Sequence, residues 1–196
     1  MNRIARFEKV SSHRFYEDMK AACFDAGFEP GNINGRNHED WFKCLYDNIQ
    51  LPKRATAGSA GYDFYLPFDV TLPAGSTIKI PTGIRVHIRE GWWLAVVPRS
   101  SLGFKYRMQL DNTVGVIDSD YYYSDNEGHI FAKITNDGRI GKEISLKAGD
   151  RFMQGIFVPY GITYDDTANG IRTGGIGSTN TTHIVEFGQL VSEKAG

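Results

Sequence analysis

Leu110-Asp111-Asn112-Thr113-Val114-Gly115-Val116-Ile117-Asp118-Ser119-Asp120-Tyr121 is the stretch on which the reading of this chain turns. Two polar residues, Asp111 and Asn112, stand ahead of an apolar run with one glycine inside it. Val114, Val116 and Ile117 favour extended backbone. Gly115 permits a tight turn or a close approach of backbone to a ligand. The run then delivers an acid, Asp118, and a ring, Tyr121. It reads as a hairpin whose tip holds a flat polar group beside a carboxylate. Taken alone, the same residues also fit an ordinary hairpin with a solvated acid.

Downstream, Tyr122-Tyr123-Ser124-Asp125-Asn126-Glu127-Gly128 separates this run from a strand expected over residues 130–135. The turn Lys147-Ala148-Gly149-Asp150 leads into an apolar strand carrying Arg151 and Gln154. These are either surface residues or two donors aimed at one anion. Arg172-Thr173-Gly174-Gly175-Ile176-Gly177-Ser178-Thr179-Asn180 is too glycine-rich to hold an element by itself. With its arginine and hydroxyls it reads as a phosphate-closing arm, and on glycine content alone as a linker. Residues 183–191 are apolar enough for a last strand.

Upstream, Pro98-Arg99-Ser100-Ser101-Leu102-Gly103 ends a strand expected over residues 92–97. An arginine, two hydroxyls and a glycine in a turn make an anion site, with Arg99 offering a bidentate fork. A serine-capped turn before a short helix fits equally. Residues 77–80 and Ile84–Ile88 alternate as strands around Pro81-Thr82-Gly83. Ala57-Gly58-Ser59-Ala60-Gly61-Tyr62-Asp63-Phe64-Tyr65 lets backbone pass close to a neighbour and places Asp63 at a strand start. Before residue 51 the texture is helical. Ser11 and Ser12 offer a cap, Phe15, Met19, Ala22 and Cys23 follow at helical spacing, and Gly27 stops the run. A second helix is expected over residues 39–48, with Trp41, Cys44, Leu45 and Asn48 toward one face. Residues 3–10 suit a first strand.

The chain has 196 residues with 41% hydrophobic and 23% charged content, values of one ordinary globular domain. Its 22 glycines, among many β-branched residues and tyrosines, point to short strands joined by tight turns. With a net charge of −1 a broad nucleic-acid-binding surface is not implied, and a local basic pocket stays open. No apolar run reaches the ~20 residues of a membrane span, and no signal core follows the N-terminus. Cys23 and Cys44 show neither zinc spacing nor a Cys-x-x-Cys pair. A cytoplasmic protein with reduced thiols is expected.

Five segments, in order, resemble the five motifs of the trimeric dUTP pyrophosphatases, the dUTPases: 60–64, 98–102, 115–121, 151–154 and 172–179. The third is the most specific. The resemblance covers roughly residues 51–180. It implies a mainly β jelly roll with an α-helical insertion near the N-terminus. One domain, 1–196, would comprise a helical insertion at 11–50, a β core at 51–170, and a flexible arm and tail at 171–196. The implied activity is Mg²⁺-dependent hydrolysis of dUTP to dUMP and pyrophosphate, which limits uracil in DNA and supplies dUMP for dTMP synthesis. The implied assembly is a homotrimer with shared sites, each closed by a neighbour's arm. On this resemblance Asp118 is the general base. Asn112 and the backbone of Val114, Gly115 and Ile117 read uracil, and Tyr121 lies against the deoxyribose. Arg99, Ser100, Ser101, Arg151, Gln154 and Arg172 hold the phosphates. Ile176, Gly177, Ser178 and Thr179 close from the arm, and Asp63 supports the site. Mg²⁺ is held by phosphates and water rather than by protein ligands.

The sequence also departs from that pattern. Ile176 replaces the aromatic that stacks over the base, and the arm is one residue short between Arg172 and Gly174. Residues 122–126 are inserted after the third motif, and His129 stands where an acid is usual. A dCTP deaminase reading shares the Arg-Ser-Ser-Leu-Gly turn, but residues 130–136 lack the glutamate of that family. A regulatory binding module, gripping a protein through 11–50 or 122–128, is the reading from another class. The tyrosine run permits it.

Overall fold

The computed structural model describes residues 2–26 and 37–175. Expectations for Gly27, Ile176, Gly177, Ser178, Thr179 and residues 183–191 lie outside the described residues.

The fold is mainly β and jelly-roll-like, with every described strand pair antiparallel. The chain begins with β1 (Ala5–Lys9), α1 (Ser12–Asp25) and α2 (His38–Asp47). Strands β2 (Lys53–Arg54), β3 (Tyr62–Tyr65), β4 (Val70–Leu72), β5 (Thr77–Pro81), β6 (Ile84–Ile88) and β7 (Trp92–Pro98) follow. After α3 (Ser100–Tyr106) come β8 (Met108–Leu110), β9 (Gly115–Ile117) and a 3₁₀ turn (Ser119–Tyr123). Strands β10 (Phe131–Asn136), β11 (Ile144–Leu146) and β12 (Arg151–Pro159) are the last elements among the described residues. The largest sheet has the order β2-β3-β12-β7-β9; a second runs β5-β10-β8, and β1-β6 and β11-β4 form ribbons.

Alternation explains the sheets. In β6, Ile84, Val86 and Ile88 are buried while Arg85 and His87 point away. β7 buries the consecutive Leu94, Ala95 and Val96, as a strand held between β12 and β9 should. Phe7 pins β1 by packing its ring on Tyr62, Phe64 and Phe157. A fully buried side chain such as Phe64 or Leu94 contributes about 1.5–3 kcal/mol.

Helix α1 is capped by Ser11, whose hydroxyl accepts the Arg14 N–H. Its buried stripe is Phe15, Asp18, Met19 and Ala22, so a carboxylate lies among apolar residues. α2 is capped by Asn37 and buries Phe42, flanked by half-buried Trp41, Leu45 and Tyr46. That corrects the expected face. Asn48 is exposed and caps the helix end, its side chain donating to the Cys44 carbonyl. Cys23 and Cys44 are free and half-buried, and burial pushes the Cys23 thiol pKa up.

The expected hairpin at 110–121 is also corrected. β8 pairs with β10 and β9 pairs with β7, so the stretch is a corner between two sheets. Thr113 turns it at φ 64°, with Thr113 N–H donating to the Leu110 carbonyl and Val114 N–H to the Asn112 carbonyl. Local alternation reports extension but not which strand will be the partner. Among the described residues no helix is long and apolar enough to cross a membrane.

Candidate active site

The corner at 110–121 walls a cavity of about 170 Å³. Asn112, Gly115, Ile117, Asp118, Tyr121 and Arg172 line it, together with Val96, Leu110, Val116, Ile130 and Phe131. β9 is the last strand of its sheet, so one edge of its backbone makes no strand ladder among the described residues. Gly115 keeps this edge close to its neighbour, because a Cβ there would stand 3.1 Å from the Val96 side chain. Val114 is partly exposed and is not among the cavity walls.

Asp118 follows β9 directly, and its side chain is 46% exposed. The Arg172 guanidinium reaches it at 2.6 Å and Asp120 at 2.9 Å. Arg172 also lies 5.9 Å from the centre of the Tyr121 ring. The described start of the C-terminal arm therefore rests on its own chain. The Asp125 N–H also donates to the Thr173 carbonyl.

Tyr121 is buried. Its hydroxyl donates to the His129 carbonyl at 2.8 Å and accepts from Asn126 Nδ2 at 2.8 Å. Burial pushes the phenol pKa up and keeps it protonated. Gly128 closes this loop at φ +68°, where a Cβ would lie 2.8 Å from the Tyr121 carbonyl oxygen.

The other predicted cationic residues, Arg99 and Arg151, gather elsewhere. Asp63 is buried and pairs with Arg99 at 3.1 Å and Arg151 at 3.2 Å. Gln154 faces Asp63 on β3, and Met153 beside it faces Phe64 on β3 and Pro98 on β7, so three motif segments meet there. The register shift between Arg151 and Met153 bends β12 at this point. Gly61 leaves the space that Gln154 uses, since a Cβ would come within 2.5 Å of its Oε1. Arg99 occupies the cap position of α3 without a side-chain cap bond, which corrects the serine-cap expectation. Ser100 and Ser101 are exposed at the helix start.

Register fixes how far apart the two groups are. Ile117 pairs with Leu94, and Asp118 continues one residue beyond. Arg99 lies five residues from Leu94 the other way, so at ~3.3 Å per residue the two stand about 20 Å apart. The chain brings Asn112, Asp118, Tyr121 and Arg172 together at one place. It brings Asp63, Arg99, Arg151 and Gln154 together at another.

Sequence reasoning missed Asn126 and His129 as partners of Tyr121. It missed Asp18 behind His129 as well. The one signal was His129 itself, a histidine at an acid's usual place. Among the described residues no group of three or more His, Cys, Asp or Glu side chains forms a metal cage.

A family profile described as dUTPase matches residues 47–180. A Lactococcus lactis protein named deoxyuridine 5'-triphosphate nucleotidohydrolase is 40% identical over 134 residues, covering 67% of this chain and 88% of that protein. A Hahella chejuensis protein of the same name is 38% identical over 149 residues, covering 71% and 92%. The crystal structure of dUTPase from Streptococcus mutans is 41% identical and superposes with a TM-score of 0.53, covering 60% of this chain and 90% of that one. The dUTPase from phage phi11 of S. aureus shares the fold, at 22% identity and a TM-score of 0.52. With the profile spanning most of the chain and relatives matched over nearly their whole length, this chain belongs to the dUTPase family.

Proposed function

We propose that this protein hydrolyses dUTP to dUMP and pyrophosphate at the corner cavity, with Asp118 as general base. The cavity carries the reading: it sets a half-exposed carboxylate beside the free edge of β9 and the Tyr121 ring. Fixed backbone groups of Gly115 and Ile117, with Asn112, would pair with the uracil edge. Cytosine's exocyclic amine reverses that pattern and leaves buried groups unpaired, which a hydrogen-bonding site rejects strongly. Tyr121, its hydroxyl already satisfied by His129 and Asn126, presents only its ring to the deoxyribose. A 2′-hydroxyl meets that wall.

Asp118 takes a proton from water as the water oxygen attacks the α-phosphorus. The bond from that phosphorus to the bridging oxygen breaks, and its electron pair leaves with pyrophosphate. Arg172 moves from Asp118 to the phosphates, which frees the carboxylate to act. Mg²⁺ would come to the site with the substrate and would need few protein ligands. The arginines and hydroxyls on this chain suit such a metal–phosphate complex, and the bound ion supplies charge neutralisation.

The reading includes a homotrimer. A triphosphate whose base lies at β9 cannot also reach Arg99 and Arg151 about 20 Å away on the same sheet. A neighbouring chain would bring its own pair, with Ser100, Ser101 and Gln154. Arm residues 176–179 would close the site.

The test is turnover of dUTP and dCTP with Mg²⁺, following pyrophosphate and ammonia separately. Pyrophosphate from dUTP without ammonia is expected, whereas ammonia from dCTP would overturn the reading. For shared sites, Asp118→Asn and Arg151→Ala variants are each expected to be weak, and mixing them to restore activity. Sedimentation should give a particle near three times 21.9 kDa. A fully active monomer would sink the shared-site part.

A further inference from the structure

His129 is fully buried, and its Nε2 accepts the Gly83 N–H at 2.7 Å. The ring proton therefore sits on Nδ1, which donates to Asp18 Oδ2 at 2.5 Å. Asp18 lies on the buried stripe of α1, only 9% exposed, with its other oxygen gripped by Arg14. The carbonyl of the same His129 accepts the Tyr121 hydroxyl. A second latch lies alongside: Glu127 accepts both the Ser11 N–H and the Ser11 hydroxyl at the start of α1. α1 lies wholly outside the region matched by the family profile, which begins at residue 47.

We propose that Asp18 is a positioning residue for sugar selection: by orienting His129 it fixes the carbonyl that holds Tyr121, and so sets the width of the deoxyribose subsite. This rests on the reading of Tyr121 as the sugar wall. The physical warrant is that a polar group with both of its ring nitrogens bonded has one orientation in a packed interior. The Tyr121 hydroxyl is tied to that group's backbone and to Asn126, so the ring cannot shift unless the chain around residue 129 shifts too. A displacement of ~1 Å in a positioning group can cost ~10²-fold in rate. The N-terminal helix thereby acts on substrate choice without touching substrate.

The test is the ratio of kcat/KM for dUTP to that for UTP, which does not depend on how much of a preparation is folded. Asp18→Ala is expected to lower it by about fivefold or more, with kcat/KM for UTP unchanged or raised. Asp18→Asn, which keeps an acceptor for Nδ1–H, is expected to stay within about twofold of the unmodified enzyme. An unchanged ratio in Asp18→Ala overturns the proposal, because a merely stabilising contact would lower both substrates alike. Should Asp18→Ala fail to fold, Tyr121→Phe decides. It removes only the hydroxyl, and a ratio that does not fall there overturns the proposal as well. Tyr121→Ala separates the two levels. If it leaves the ratio unmoved, the sugar-wall reading itself is wrong. If it collapses the ratio while Asp18→Ala and Tyr121→Phe do not, only the role of Asp18 is wrong.

Discussion

Asp63 and Asp118 stand at two ends of one sheet and are held in contrasting ways. The Asp63 side chain is 8% exposed, on a strand interior, and shares its two oxygens between Arg99 and Arg151. The Asp118 side chain is 46% exposed, at a strand end, and borrows a single guanidinium from the chain's terminal arm. A carboxylate committed to two cations on rigid strands organises those cations. One whose partner lies on a terminal segment can exchange that partner for a ligand. On the proposed function, burial and the origin of the partner, rather than residue type, divide a structural acid, Asp63, from a chemical one, Asp118.

The sharpest way to break this contrast is at the open end. Asp118→Asn keeps shape and reach but cannot accept the water proton. Turnover should fall by ~10²–10⁴-fold while dUTP binding, read by calorimetry, is largely kept. Near-normal turnover would remove Asp118 from the chemistry. Arg172→Ala comes next. A charge-assisted contact worth ~1.5–3 kcal/mol predicts a fall of about 10- to 100-fold in kcat/KM. Unfolding stability should stay within ~0.5 kcal/mol, since the pair it breaks is half open to solvent. Loss of stability without loss of activity would mean the arm is a strut.

Asp63→Ala tests the closed end. It strands two guanidiniums, at a cost of about 1–3 kcal/mol in denaturant unfolding, toward the lower end because both arginines are partly solvated. A loss of phosphate affinity should accompany it. If stability is unchanged, Asp63 does not organise the cluster.

The smallest effect concerns a third carboxylate, Asp18, buried like Asp63 but paired with a group that titrates. Burial holds the His129 pKa below its ordinary value of 6.5, against the pull of Asp18; Arg14 lowers it further and Glu127 opposes. Burial also disfavours ionised Asp18, but the bonds from His129 and Arg14 outweigh it and hold its pKa below 3.8. As pH falls below about 6.5, the unfolded chain takes up a proton that folded His129 refuses. Stability should drop by at most ~1.4 kcal/mol per pH unit for that one proton. The Asp18 contribution is lost only at lower pH, beneath its ordinary value. Urea unfolding at pH 7.5, 6.5 and 5.5 checks this, and His129→Gln should flatten the slope. An equal slope in that variant would assign the effect elsewhere.

How much of this could be read beforehand depended on the range of the signal. Strand alternation in β6 and the Ser11 cap of α1 are written within a few residues, and both were legible. So were the motif segments that form the cavity and the arginine cluster. The hairpin at 110–121 was misread because extension is local and strand pairing is not. Phe42 was overlooked in α2 because Cys44 and Asn48 offered a competing stripe of the same period. Asp18 was passed over because a charge in an apolar stripe looks like a surface residue. Arg14 pairs with it from four residues back, but its burial is explained by His129, 111 residues away.

That separation also bears on the order in which the molecule is made. α1 leaves the ribosome well before His129 exists, and the contacts that Asp18 and the capping Ser11 make to the loop at 122–129 span 111 and 116 residues. At ~5–20 residues per second, the wait is on the order of 6–20 s. During it Phe15 can meet Tyr46 but not the His129 ring, and closing so long a loop is among the slower steps of folding. The loop that holds Tyr121 should therefore mature last, after the sheet that carries it. Pulsed hydrogen exchange during refolding would show the amides of β7 and β12 protected before those of residues 121–129.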